Sequence, residues 1–270
     1  MTQLRLLGPL HVRHAGKDHA PPGLKLKAIL GALALRPQRL VHREQLIEEL
    51  SLTNSKNSAN ALQAHITRLR RWLAFTCQEP DLVVTVGQGY QLTMAPLHID
   101  AHEFVCLAEE GWAMSPDQPE RVVSKMEHAL MLWRGPPLTD AGDGPIARNA
   151  ADWLNQVRLG VQESLLDARL AMGDERRVVL QATSFIATDP LRERLWEQLL
   201  TALHLSGEHA EAVHAFHRLR ELLADELGVE PGHRLRSQLQ DVLAGRPPRS
   251  YASAAPSPSS VSYGGFSSTR

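Results

Sequence analysis

A chain of 270 residues with 43% hydrophobic composition is long enough for two domains with packed cores, which excludes a wholly disordered protein. Its longest apolar run is short, and no hydrophobic block precedes a cleavage site near the N-terminus, so we expect a soluble cytoplasmic protein that does not enter a membrane. The net charge of -1 hides an asymmetry, because residues 1–97 hold 12 Lys and Arg against 6 Asp and Glu whereas the remainder is acidic. A basic N-terminal part favours a polyanionic partner.

The N-terminal third has the patterns of a mixed α/β fold. The stretch LRLLGPLHVRH alternates apolar and polar residues around Gly8-Pro9, which predicts a short hairpin. Two helix-patterned runs follow, LKLKAILGALAL, which ends before Pro37, and VHREQLIEEL, whose apolar residues lie on one side. A small sheet and two helices are therefore expected before residue 51.

A third helix-patterned segment, NALQAHITRLRRWLAF from Asn60, combines an apolar stripe with a basic face. At about 100° per residue, the stripe consists of Leu62, Ile66, Leu69 and Leu73. Arg68 and Arg70 flank an opposite face that is uncharged or basic and consists of Asn60, Gln63, Ala64, Thr67 and Arg71. Residues 51–78 contain no Asp or Glu, so the arginines have no acidic neighbour along the helix. This pattern favours an anionic partner; the alternative is that the arginines only keep the helix face solvated.

The next segment, LVVTVGQGYQLT, predicts a strand, a tight turn and a returning strand. β-branched residues precede Gly87-Gln88-Gly89, and these glycines can supply the positive φ angles of a hairpin turn. A sheet, three helices and a terminal hairpin together predict a winged-helix domain over residues 1–97.

From residue 98 onward the patterns are helical, and we expect an all-α domain over residues 98–245. LLDARLAMGD from Leu165 and LLTALHLSGE from Leu199 share Leu-Leu, Ala and Gly at a spacing of 34 residues, the period of tetratricopeptide repeats. Residues 101–114 and 119–133 are a further helical pair. The tail over residues 246–270 is rich in Ser and Pro and is expected to be disordered.

Two sets of motifs resemble known regulators. HITRLRRWL followed by VVTVGQGYQL is similar to the recognition helix and wing of OmpR-type DNA-binding domains. More specifically, the chain resembles the Streptomyces antibiotic regulatory protein (SARP) family through LGPLHV, NALQAHITRLRRWL, HALMLWRGPPLTD, DPLRERLWEQLLTAL and ADELGVEPGHRL. The resemblance implies an OmpR-like winged helix followed by a bacterial transcriptional activator domain with tetratricopeptide-like repeats.

The resemblance also implies where DNA is contacted. It assigns base or near-base roles to Gln63, Arg68 and Arg70, and backbone roles to Asn60, His65 and Thr67. Arg71 is placed at the DNA by the helical projection alone, and Lys56 is a weaker phosphate candidate. In the wing, Thr85, Gln88 and Tyr90 are candidates for backbone contacts, with core packing as the alternative for Tyr90. The wing tip has Gln88 where many such wings have the Arg or Lys that enters the minor groove.

The implied function is activation of a secondary-metabolite gene cluster by binding direct repeats in double-stranded promoter DNA. The implied partners are RNA polymerase holoenzyme, through its sigma and alpha subunits, and a second copy of the chain as a homodimer on DNA. The segment SLTNSKN, which joins the second and third predicted helices, lacks the Trp-Gly and Pro residues that are common at this place in the family. A repeat-domain adaptor that binds mainly protein is the rival hypothesis.

We expect no enzymatic activity, cofactor or metal site. The chain has no phosphate-binding loop followed by Lys-Ser or Lys-Thr, and no nucleophile motif. Cys77 and Cys106 lie outside any metal or redox motif, and His214 and His217 lack a completing set of ligands.

Overall fold

A computed structural model describes residues 2–53 and 57–247 of the chain, and these residues form two compact units. The first unit comprises residues 2–109 and 128–158, and the second comprises residues 110–127 and 159–247. The first unit therefore extends well beyond the predicted boundary at residue 97. The functional division of the chain at that boundary stays a prediction. Lys56 and nearly all of the predicted tail lie outside the described residues.

The chain begins with a three-stranded antiparallel sheet in the order β1-β2-β3. Its strands are β1 (Thr2–Arg5), β2 (His11–His14) and β3 (Lys17–His19). The predicted hairpin around Gly8-Pro9 is confirmed, with Leu4 opposite Val12. The third strand was not predicted because its three residues, KDH, carry no apolar alternation.

Three helices and a second sheet complete the winged helix. The helices are α1 (Leu24–Ala34), α2 (Arg43–Glu49) and α3 (Ser58–Cys77). The sheet has the order β4-β6-β5, from β4 (Val41–His42), β5 (Val83–Val86) and β6 (Gly89–Leu92). Short 3₁₀ helices lie on either side of the β5–β6 hairpin, at Pro80–Leu82 and Pro96–His98. The hairpin is the wing, and the predicted winged-helix fold is confirmed.

Every regular element that the structure describes after residue 98 is a helix, as predicted. The helices are α4 (Asp100–Trp112), α5 (Pro119–Met131), α6 (Pro145–Ala171), α7 (Glu175–Thr188), α8 (Glu193–Leu205), α9 (His209–Leu227) and α10 (His233–Leu243). Gly173 follows α6 and Gly207 follows α8, and both have left-handed φ angles, of 72° and 76°. The sequence repeat is therefore also a repeat of conformation.

The second unit is held together by an apolar core and a set of buried polar contacts. Trp196 and Leu200 of α8 are nearly inaccessible within this core. Beside them, the guanidinium of Arg194 pairs with Asp167 at 3.0 Å and with Glu197 at 2.9 Å. Of the helices described in both units, none is long and apolar enough to cross a membrane.

Two carboxylates from beyond residue 97 hold the N-terminal sheet in the first unit. Asp100, at the start of α4, accepts hydrogen bonds from the backbone N–H groups of Leu6 (2.6 Å) and Leu7 (3.2 Å). Asp140 accepts a hydrogen bond from the N–H of Leu10 at 2.7 Å and pairs with Lys27 of α1 at 2.5 Å. These amides belong to the turn between β1 and β2, so the turn is completed by residues about 90 to 130 positions away.

A third carboxylate joins α2 to the first turn of α6. Glu49 is buried and accepts hydrogen bonds from the N–H groups of Ile146 (2.6 Å) and Ala147 (3.0 Å), which a helix leaves unpaired at its N-terminus. The approach requires glycine at position 144, since a Cβ there would lie 2.2 Å from the Glu49 carboxyl carbon. Burial raises the pKa of Glu49, although the two N–H groups act in the opposite direction.

The contact between α4 and α1 makes the stability of the first unit depend on pH. His102 of α4 lies against the backbone oxygen of Ala34, with its Nε2 at 3.1 Å. Burial, with a smaller effect of Arg39, lowers the pKa of His102 from 6.5 to about 4. The unfolded chain therefore binds this proton more readily than the folded chain between those values, and stability is lost as the pH falls below 6.5.

We expect His102→Gln, which keeps a donor but cannot titrate, to flatten this loss. The wild type should lose about 2 kcal/mol relative to the variant between pH 7 and pH 5, since one pKa unit corresponds to about 1.4 kcal/mol. The measurement is urea unfolding of both proteins across that range. Equal losses in the two proteins would show that His102 does not cause the dependence.

Candidate nucleic-acid interface

Helix α3 buries its apolar stripe and exposes the polar face predicted from the sequence. The side chains of Leu62, Ile66, Leu69 and Leu73 are at most 1% exposed. Five of the predicted DNA-contacting residues are solvent-exposed on this helix: Asn60, Gln63, Thr67, Arg68 and Arg71. The helix therefore offers a continuous polar surface that its own packing does not use.

This surface is positively charged and has no internal neutralisation. Helix α3 contains no Asp or Glu. Within the part of the chain that the structure describes, Arg68 and Arg71 form no ion pair. An arginine without a carboxylate partner keeps all its N–H donors available for a phosphate or for the acceptors of guanine.

His65 and Thr67 are less available than their neighbours. His65 is half-buried, and burial, together with the charges of Arg68 and Lys25, lowers its pKa. It is therefore a neutral side chain near pH 7, and it would serve as a hydrogen-bonding group rather than as a cation. The Thr67 hydroxyl donates to the backbone oxygen of Gln63 at 2.9 Å, so in this rotamer its oxygen can only accept a further bond.

The wing places two of its three predicted residues at the surface. Thr85, on β5, and Gln88, at the tip, are exposed, whereas Tyr90 on β6 is only 4% exposed. The two tip glycines differ in their roles. Gly87 has a left-handed φ of 49°, as predicted, but Gly89 is not among the residues with positive φ. Gly89 is required for a steric reason instead, because a Cβ there would lie 2.2 Å from the backbone oxygen of Val41.

Arg70 points to the wing rather than away from the domain. Its Nε–H donates to the backbone oxygen of Val83 at 2.7 Å, and an Nη2–H donates to the Thr85 hydroxyl at 2.9 Å. Its guanidinium carbon also lies 5.9 Å from the centre of the Tyr90 ring. The near-base role of Arg70 stays a prediction, and the structure shows that its side chain connects α3 to β5.

Arg43 is a cation of this region that the sequence patterns did not indicate. It is the first residue of α2, and its guanidinium carbon lies 6.0 Å from the Tyr90 ring centre. Its backbone N–H donates to the oxygen of Gln88 at 3.1 Å, which ties α2 to the wing tip. Its place directly after β4 brings Arg43 close to the wing, but a two-residue strand leaves no recognisable pattern in the sequence.

The described residues bring no group of three or more His, Cys, Asp or Glu side chains together in a metal-binding arrangement. The two cysteines are free, and burial raises the pKa of Cys77 to about 11. The polar and basic surface of α3 and the adjacent wing is therefore the candidate functional site. Its amide and guanidinium groups can hydrogen-bond to the base edges and the phosphates of a nucleic acid.

Comparison with known families assigns both parts of the chain. Residues 24–92 match the family described as "Transcriptional regulatory protein, C terminal", which includes α3 and the wing. Residues 99–243 match the "Bacterial transcriptional activator domain". Both descriptions are of transcriptional regulators.

Individual relatives agree with this assignment. The chain is 34% identical to the transcriptional regulator RedD of Streptomyces coelicolor, over 91% of this chain and 71% of RedD. It is 32% identical to the regulatory protein DnrI of Streptomyces peucetius, over 91% of this chain and 93% of DnrI. A solved structure of Mycobacterium tuberculosis EmbR, in complex with a low affinity phosphopeptide, superimposes with a TM-score of 0.83 at 26% identity. That match covers 91% of this chain and 66% of the EmbR chain. With both domains matched and relatives aligned over most of their length, the chain belongs to the SARP family of DNA-binding transcriptional regulators.

Proposed function

We propose that this regulator activates a secondary-metabolite gene cluster by binding direct repeats in its promoter through α3 and the wing. The observation that carries the proposal is the exposed face of α3, where Arg68 and Arg71 have no acidic neighbour in the helix. An α-helix fits the major groove of B-DNA, and the duplex supplies the negative charge that this face lacks. The rival hypothesis of a protein-binding adaptor does not explain why α3 contains no acidic residue.

The exposed residues divide by chemistry into two roles. Gln63 and Arg68 reach base edges, since an amide can pair with adenine and a guanidinium with guanine. Asn60, His65 and Arg71 contact the sugar-phosphate backbone, as do Lys56 and the wing residues Thr85 and Gln88. Thr67 joins them when its hydroxyl rotates away from the oxygen of Gln63 and donates to a phosphate instead. Tyr90 does not contact DNA, because its ring is buried and packs in the core beneath the wing strands.

The helical part over residues 98–245 serves assembly and activation. Direct repeats require two copies of the chain side by side, and stacked helical repeats provide surfaces for such contacts. The bound homodimer recruits RNA polymerase holoenzyme through its sigma and alpha subunits. The protein acts in the cytoplasm, without a cofactor and without catalysis of its own.

Alanine variants of the α3 face test the DNA-binding proposal. The probe is a duplex that the full-length protein enriches from a random library, compared with a scrambled duplex of the same composition. Gln63→Ala and Arg68→Ala should each cost roughly 1–3 kcal/mol on the enriched duplex and relax the preference at one base pair. Arg71→Ala should weaken both duplexes alike and reduce the salt dependence by about one phosphate contact.

Arg236→Ala is the matched control, because it removes an exposed arginine from a helix outside the winged helix. It should leave both affinities unchanged, and thermal melting should show that every variant is folded. If a folded triple variant of Gln63, Arg68 and Arg71 bound the enriched duplex as tightly as the wild type, α3 would not enter the groove. The adaptor hypothesis would then be preferred.

A further inference from the structure

Arg70 is held by two bonds that both lead to strand β5. Val83 accepts through its backbone oxygen and Thr85, two residues further along the strand, accepts through its side-chain hydroxyl, so the guanidinium spans the two residues with Nε and Nη2. The distances of 2.7 and 2.9 Å are those of well-formed hydrogen bonds. The Arg70 side chain therefore links α3 to the wing.

The bond to Thr85 determines what the threonine hydroxyl can do. A hydroxyl has one proton to donate and two lone pairs that accept. Because Thr85 accepts from Arg70, its own proton remains for another acceptor, and Thr85 is exposed to solvent. A bond from a cation polarises the hydroxyl and makes it a stronger donor.

The charge of Arg70 is also not cancelled locally. Among the described residues, its hydrogen-bond partners are a backbone oxygen and a hydroxyl, both neutral, and it forms no ion pair with any of these residues. Because the positive charge of Arg70 lies next to the Thr85 hydroxyl, an anionic group is favoured as the acceptor of the hydroxyl proton. A phosphate of the DNA backbone has this chemistry.

We propose that Arg70 is a positioning residue that acts on DNA through Thr85, whose polarised hydroxyl donates to a backbone phosphate, and that Arg70 does not itself read a base. The inference rests on the proposed function, in which α3 and the wing face DNA. It makes Arg70 a determinant of affinity for any duplex rather than of sequence preference.

Full-length variants of the pair separate this role from base reading. Thr85→Val keeps the shape of the side chain but removes the hydroxyl, and Thr85→Ser keeps the hydroxyl. We expect Thr85→Val and Arg70→Ala each to lose roughly tenfold in affinity for the enriched and the scrambled duplex alike, the value of one hydrogen bond to a charged group. Thr85→Ser should bind within about twofold of the wild type.

The double variant gives the decisive measurement. If Arg70 acts through Thr85, then Arg70→Ala combined with Thr85→Val should bind about as well as the weaker single variant, because both changes remove the same contact. Arg70→Lys should behave like Arg70→Ala, since an ammonium cannot span Val83 and Thr85. Additive losses, or a relaxed preference at one base pair in Arg70→Ala, would overturn the inference.

Different results would reject the positioning role of Arg70 and the proposed DNA-binding surface. Loss of binding in the Gln63 and Arg68 variants, together with additive effects of Arg70 and Thr85, would reject only the positioning role. Unchanged binding in all of these variants would reject the proposed DNA-binding surface itself. Thr85→Val, which changes one exposed side chain, keeps the test open even if Arg70→Ala destabilises the wing.

Discussion

A fragment that ends at residue 97 should not fold stably, whereas a fragment that ends at residue 158 should. A winged-helix domain over residues 1–97, which the sequence patterns predict, would be expected to fold by itself. The structure leads to the opposite expectation. The shorter fragment loses Asp100 and Asp140, which bind the turn between β1 and β2, and the N-terminal turn of α6, which binds Glu49.

The expected size of the effect follows from the number of bonds lost. Five hydrogen bonds between backbone N–H groups and these carboxylates disappear in the shorter fragment. Bonds to charged groups contribute roughly 1.5–3 kcal/mol each, so the loss approaches the whole stability of a small domain, about 5–15 kcal/mol. Leu6, Leu7 and Leu10, all fully buried in the full chain, would also lose part of their cover.

Thermal melting and amide hydrogen exchange of both fragments would check this expectation. The longer fragment contains every described residue of the first unit and is the matched control. It should melt cooperatively and protect the amides of α1 and α3, and the shorter fragment should do neither. A cooperative transition at the same temperature in both fragments would contradict the expectation.

Gly89→Ala should be the most damaging single substitution in the wing. Its Cβ would lie 2.2 Å from the oxygen of Val41 and 2.9 Å from its carbonyl carbon, and neither atom can move without shifting β4. Overpacking in a well-packed region typically costs about 1–3 kcal/mol and more where backbone must shift, so we expect a loss above roughly 3 kcal/mol. The pairing of β4 with β6 would be disrupted, and Thr85 and Gln88 would be displaced with the hairpin.

Gly87→Ala provides the comparison, because a Cβ there meets no atom within 4 Å and the cost comes only from the φ of 49°. An alanine in the left-handed region costs about 1–2 kcal/mol. Urea unfolding and binding to the enriched duplex would rank the two variants. Equal destabilisation by the two substitutions would mean that the close approach at Gly89 is not what requires glycine.

The sequence was sufficient for features that recur at short intervals. The stripe of Leu62, Ile66, Leu69 and Leu73 defined the buried side of α3, and the 34-residue spacing identified the helical repeat. The first signal comes from residues within one helix and the second from equivalent positions of two successive repeats, and in both cases geometry translates directly into spacing.

Contacts between distant segments left no such signal. Asp100 and Asp140 look like ordinary helix-start and loop residues in the sequence, and nothing near them marks Leu6 or Leu10 as their partners. The helical projection likewise placed Arg70 beside the basic face, but its direction depends on Val83 and Thr85 of a separate strand. The directions of the side chains at the candidate site therefore follow from the tertiary structure and not from the sequence pattern.

The bonds of the three carboxylates Asp100, Asp140 and Glu49 within the first unit also affect how such regulators can be recombined. In a chimera joined after residue 97, the turn amides of one parent would face Asp100 and Asp140 of the other, and Glu49 would face a foreign Gly144. We therefore expect a chimera joined after residue 158, which takes all three pairings from one parent, to fold more stably than a chimera joined after residue 97.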